Sequence, residues 1–275
     1  MALRFIVAAV AATLPTAALP AAAAPPRVSA VEQASIQQAL SRGALIYAYD
    51  KAAWVGTDDM LTRIKNPEKV VGGWIVDGPA EAPELVFFDQ NPTEPRAVYV
   101  ARFQGRRLVS SRVVGPGEDS SLSAERKRLV TAQRAAVKAF MSSRPARCSD
   151  QQFNTLILPP PAPGAPALVY FLTPQTERDA IPFGGHYLVQ VSADGKAAPA
   201  RPFSKSCLNM PFRKPGVPSP EALAVTHLLD PVPTEIHVFS SLAAGLPLVV
   251  MTTQNNKVWS VTGSRIEGIG MKGLK

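Results

Sequence analysis

Only two cysteines, Cys148 and Cys207, and three histidines occur in 275 residues. So few cysteines exclude a disulfide-dense scaffold and a cysteine-rich zinc module. Charge is sparse as well, at 18% of residues against 46% hydrophobic. Such a chain builds a core and is not disordered. There is no Gly-x-Ser-x-Gly elbow, no Gly-x4-Gly-Lys-Ser/Thr loop, no His-Glu-x-x-His and no Cys-x-x-Cys. These absences remove the commonest recognisable hydrolase, nucleotide-binding and redox classes, though not enzymes whose site residues are scattered along the chain. Beyond Ala23 no apolar run, the best being Phe239 to Met251, reaches the roughly 20 residues needed to span a bilayer.

Proline is abundant. Its 27 copies are about twice the usual share of roughly 5%, and with 18 glycines they argue for many turns and against a helical bundle. The N-terminus reads as a signal peptide over residues 1–23. Arg4 supplies the positive start, Phe5 to Leu19 the apolar run, and Ala21-Ala22-Ala23 the small-x-small cleavage pattern. Pro15 and Pro20 interrupt the run, which argues against a membrane anchor. The mature chain, residues 24–275, is expected to be a single exported domain, periplasmic or secreted. In an oxidising compartment Cys148 and Cys207 are expected to pair. Closing a loop of about 60 residues would stabilise the fold by roughly 4 kcal/mol. The alternative, a reactive thiol near Arg147 or Lys205, needs an electropositive site and a base.

Periodicity predicts α+β architecture with mainly antiparallel sheet, built from two helix-plus-meander units. Ser29 and Glu32 form a capping-box pattern ahead of a helix carrying Ile36, Leu40, Gly43, Ala44 and Tyr47 on one stripe. Gly56 is expected to stop it, with Thr57 capping a short second helix. Strands follow at 74–76, 85–88, 97–103 and 108–114, separated by turn residues. A helix after Ser123 buries Leu129, Ala132, Ala136 and Phe140. Strands then resume at 154–158, 168–172, 186–191, 197–203, 236–240, 248–253 and 258–261. Leu85-Val86-Phe87-Phe88 and Leu168-Val169-Tyr170-Phe171 hold similar places, which allows a degenerate duplication with halves 28–145 and 146–269.

Three groups of residues invite functional readings. If Glu235 and His237 lie on a strand they point to one face, and His227 could complete a two-histidine, one-carboxylate zinc site. Tyr47, Asp50, Trp54 and Asp58 recur at helical spacing, so a continuous helix would line a polar ligand cleft with them. The plainer alternative makes Tyr47 and Trp54 core, Asp50 a surface charge and Asp58 part of a helix start. Finally, residues 96–147 carry twelve Lys and Arg against three acids, a local charge of +9. Arg102, Arg106, Arg112, Arg134 and Lys138 are the candidates for a shared anion-binding surface, although a solvated, solubilising face reads the same way. Export makes nucleic acid a poor partner and anionic envelope lipids or glycans better ones.

The stretches 49–59, Tyr-Asp-Lys-Ala-Ala-Trp-Val-Gly-Thr-Asp-Asp, and 229–239, Leu-Asp-Pro-Val-Pro-Thr-Glu-Ile-His-Val-Phe, resemble segments of uncharacterised exported bacterial proteins. The resemblance implies an exported setting and carries no reaction or ligand. The sequence thus reads as a non-enzymatic binding or envelope-associated module with a basic surface and no cofactor. Its alternative is a hydrolase of an envelope component, zinc-dependent if the histidine triad forms.

Overall fold

The computed structural model describes residues 27–213 and 216–270, so the expected signal peptide lies outside the described residues. The described chain is α+β, with three helices and four mostly antiparallel sheets. The first unit is α1 (Ala30–Arg63) followed by β1 (Val71–Asp77), β2 (Glu84–Asp89), β3 (Ala97–Gln104) and β4 (Arg107–Val113), an antiparallel meander in chain order. The second begins with α2 (Ala124–Ser142), β5 (Asn154–Leu158) and β6 (Ala167–Leu172). After them come β7 (Ala180–Pro182), β8 (Tyr187–Val191) and β9 (Arg201–Pro202). Its sheet runs β5-β6-β8-β9, while β7 pairs with β10 (Asn209–Pro211) in a separate ribbon.

A third sheet comprises β11 (Leu223–His227), β12 (Leu248–Thr252), β13 (Lys257–Val261) and β14 (Ile266–Ile269). Its first two strands are parallel, joined by α3 (Glu235–Ala244), because parallel neighbours need a crossover connection. This part of the half 146–269 has no counterpart in 28–145.

The two meanders make one broad layer. Strand β1 runs beside β5, and the Gln133 amide on α2 donates to Trp74 O (3.2 Å) and Thr155 O (3.3 Å), across the seam. Helix α1 covers one face and α2 the other. Leu85, Phe87, Leu168 and Tyr170 belong to the core under α1. Val86, Phe88, Val169 and Phe171 belong to the core under α2, where Phe140 stacks on Phe171 at 3.8 Å. The two apolar tetrapeptides are therefore the second strands of their meanders. Each is buried on both faces, which is why neither alternates with polar residues.

Helix α1 starts as expected: Ser29 and Glu32 form the capping box, and Glu32 also receives Lys257 Nζ at 2.6 Å, tying the helix to β13. Its expected end is wrong. The helix runs through Gly56 and Thr57 to Arg63 without a break. Gly56 is a contact, not a stop: a Cβ there would lie 2.1 Å from Leu85 Cδ2, so glycine lets the helix settle onto β2. Beyond it, the Asp59 carboxylate accepts from Tyr99 OH (2.6 Å), Ser111 Oγ (2.7 Å) and Arg63 Nε (2.7 Å). Arg63, with these hydroxyls, holds its pKa down to about 2 against burial.

Candidate functional site

The expected strand over 236–240 is a helical segment. Pro231 and Pro233 precede Thr234 at the N-cap, and Gly245 closes α3 in the left-handed conformation, the usual helix punctuation. On a strand, residues two apart share a face; on a helix they point nearly opposite ways. Glu235 accordingly turns toward α1 and the sheet, accepting from Tyr170 OH at 2.9 Å and facing Arg42 at 3.6 Å. The expected triad of His227, Glu235 and His237 does not converge. Among the described residues no group of three His, Cys, Asp or Glu side chains is placed to hold a metal ion.

The two histidines do meet. Their rings pack edge to face with centroids 4.7 Å apart. His227 ends β11, and its Nε2 lies 2.9 Å from Asp230 Oδ2. Arg201 holds both oxygens of Asp230, at 2.6 and 2.7 Å. Burial opposes the charge on Asp230, but His227 and Arg201 outweigh it and lower the carboxyl's pKa. Asp230 is thus an ionised acceptor, and His227 Nε2 carries the donated proton. His237 sits in the first turn of α3 where a capping box would place Glu. Its Nδ1 accepts the Thr234 backbone N–H at 3.0 Å. Burial, reinforced by His227, lowers its pKa to about 3, so the ring is neutral. Because Nδ1 is the acceptor, the proton resides on Nε2.

A cavity of about 70 Å³ opens between the end of β11, the first turn of α3 and the loop after Phe203. His227, Thr234, Ile236, His237, Ser204 and Lys205 line it. The loop is held firmly. Ser204 Oγ accepts the Gly185 N–H (3.1 Å) and donates to Ser206 O (3.0 Å). Cys207 is disulfide-bonded to Cys148, as expected, with Cα atoms 5.4 Å apart. Crevices beyond the C-terminal ends of parallel strands are common binding places, and this one adds the start of a helix. Asp230 was not among the expected site residues, although its spacing of three from His227 is a local signal; Arg201 and Tyr170 are distant in sequence and carry none.

The α1 residues reverse their expected exposure. Asp50 is 8% exposed and Trp54 50%. Asp50 lies seven residues after Gly43 and fourteen after Ile36, on the buried stripe itself. Asp50 and Trp54 share a small cavity of about 20 Å³ with Asn154, Thr173 and Gln175, room for about one water. Tyr47 is half-buried and Asp58 exposed, and neither lines that cavity. Lys51 lies over both the Tyr47 and Trp54 rings. Asp50 has no hydrogen-bond partner among the described residues. Burial raises its pKa from 3.8 to about 6, with Lys51 offsetting part of the shift. The native state therefore binds the extra proton, and Asp50 makes stability fall as pH rises from about 4 to about 6. Asp50→Asn should remove this contribution. In paired denaturation curves its advantage over the wild type should grow across that window and stay constant above it; a pH-independent difference would contradict the burial.

The basic segment is less bare than its sequence. Arg102 pairs with Glu84 at 2.7 Å, and Arg112 with Glu118. Arg126 bridges Asp77 and Glu84, each at 2.7 Å, and Lys127 meets Glu94. Arg134 donates to the carbonyls of Asn91 and Pro92 and covers the Phe88 ring. Arg106 reaches Tyr47 on α1 at 3.3 Å, while Lys138 is exposed on α2. Asp77, Glu84 and Glu94 come from outside the segment, so the fold brings in the counter-charges that the local count omits. Compared with known protein families, curated proteins and solved structures, the chain matches none.

Proposed function

We propose that the chain is exported to an oxidising compartment, periplasmic or extracellular, and works there as a binding module. Its binding site is the cavity between β11 and α3. The observation that carries the reading is His237. A buried, neutral imidazole is fixed by Thr234 in one tautomer, with its Nε2–H unused by any described residue at the edge of a cavity. The disulfide that restrains the cavity's loop supports the compartment. The positive balance of the chain, +8, favours an anionic envelope partner. In this cavity the hydroxyl that meets an imidazole, Thr234 Oγ1 at 3.0 Å from His237 Nδ1, belongs to the N-cap of α3, which favours the binding reading over the hydrolase alternative.

Expression of the full chain in a Gram-negative host tests export. The expected product is periplasmic, begins at Ala24 and contains no alkylatable thiol. A cytoplasmic chain retaining Met1, or one with free Cys148 and Cys207, would overturn the reading.

A further inference from the structure

Resting on the assignment of that cavity, we propose that it holds a phosphate group. The Glu235 and Ile236 amides open α3 and have no preceding helical carbonyl to bond, whereas the His237 and Val238 N–H groups reach Thr234 O. The helix dipole adds positive potential at this end. The second element is a side chain in the same turn. His237 is only 7% exposed, lines the cavity, and spends Nδ1 on Thr234. Its Nε2–H has no partner among the described residues. Apart from Ser240 Oγ, no fully buried side-chain polar atom among the described residues lacks a partner, so Nε2 retains some access, and we place that access on the side of the cavity that His237 lines.

Lys205 supplies charge at the rim and makes no ion pair among the described residues. The nearest acids are already engaged: Asp230 by Arg201 and His227, Glu235 by Tyr170 and Arg42. Backbone amides and an imidazole N–H from α3, with an ammonium from the loop after Phe203, suit the several oxygens of a phosphate group better than a single carbonyl. The ligand could be inorganic phosphate or the phosphate of a lipid headgroup; the recognition chemistry is shared.

The test uses the mature, disulfide-bonded protein at neutral pH and low ionic strength. Inorganic phosphate is titrated by calorimetry and by ¹H–¹⁵N spectra, with acetate at matched ionic strength alongside. One saturable site is expected, with shifts centred on Glu235, Ile236 and the His237 ring. Lys205→Met, on an exposed side chain, should weaken binding about tenfold, the size of one lost charged hydrogen bond. Lys138→Met on α2 should leave it unchanged. Vesicles containing phosphatidic acid separate the sources: retention lost in Lys205→Met points to a headgroup, whereas phosphate binding without retention points to the free ion. Non-saturable binding, equal response to acetate, shifts centred on residues 96–147, or indifference to Lys205→Met would overturn the proposal. An exported protein that fails this test sinks the phosphate assignment alone; a phosphate-binding chain retained in the cytoplasm sinks export alone.

Discussion

Replacing Cys148 and Cys207 together by serine is expected to destabilise the fold by about 4 kcal/mol, the loop-closure value for a bridge of this span. The two residues are 59 apart, and the segment between them holds the whole second meander, β5 to β9. Without the bond, the unfolded chain regains the entropy of that loop. For a domain of this size the melting temperature should fall by about 10 °C or more. Reductant should produce a similar drop in the wild type and none in the double variant. Equal melting temperatures for oxidised wild type and variant would show that the bond contributes nothing. Because Cys207 lies in the loop that walls the cavity, the same substitution should also weaken any ligand bound there.

The second large effect is expected at Gly43. A Cβ there would sit 2.5 Å from Val238 Cβ and 2.8 Å from the Glu235 carbonyl oxygen. Neither can rotate away: Val238 Cβ is fixed to its own backbone, and the carbonyl belongs to the first turn of α3. Gly43→Val should therefore force α1 and α3 apart and cost about 3 kcal/mol, the upper end for overpacking. Gly43→Ala should cost less, since alanine returns about 1 kcal/mol of helix propensity. Chemical denaturation of the two variants checks the order. If valine is tolerated as well as alanine, the helices do not cross at this residue.

Gly43 and Gly56 also mark where the sequence was legible and where it was not. The start of α1, both meanders, α2 and the disulfide followed from caps, period-two strands, turn residues and compartment. Those signals are local. Gly56 was read as a helix stop because glycine is a poor helix former, yet its role is set by Leu85, a partner 29 positions away. The strand expected over 236–240 rests on Ile236, Val238 and Phe239, which favour extended structure. Tertiary context and the Pro-x-Pro-Thr entry overrode that preference. The single misassignment moved Glu235 to the wrong side and produced a metal site that the fold does not build. It also hid the cavity between β11 and α3, which His237 lines from the first turn of the helix. Asp50 failed differently. Its charge argued for the surface, while its place on the buried stripe argued for the core, and the stripe prevailed. For the basic segment the charge count was right but incomplete, because the acids that meet Arg102, Arg126 and Lys127 lie elsewhere in the sequence.

The most direct measurement is the protonation state of His237 by ¹H–¹⁵N correlation of its imidazole ring in the disulfide-bonded protein. The geometry predicts a neutral ring with the proton on Nε2, at neutral and at mildly acidic pH alike. The Thr234 N–H occupies Nδ1, and burial keeps the pKa near about 3. A ring that titrates near the ordinary 6.5, or one that carries its proton on Nδ1, would contradict the account. Either outcome would mean that no fixed donor faces the cavity.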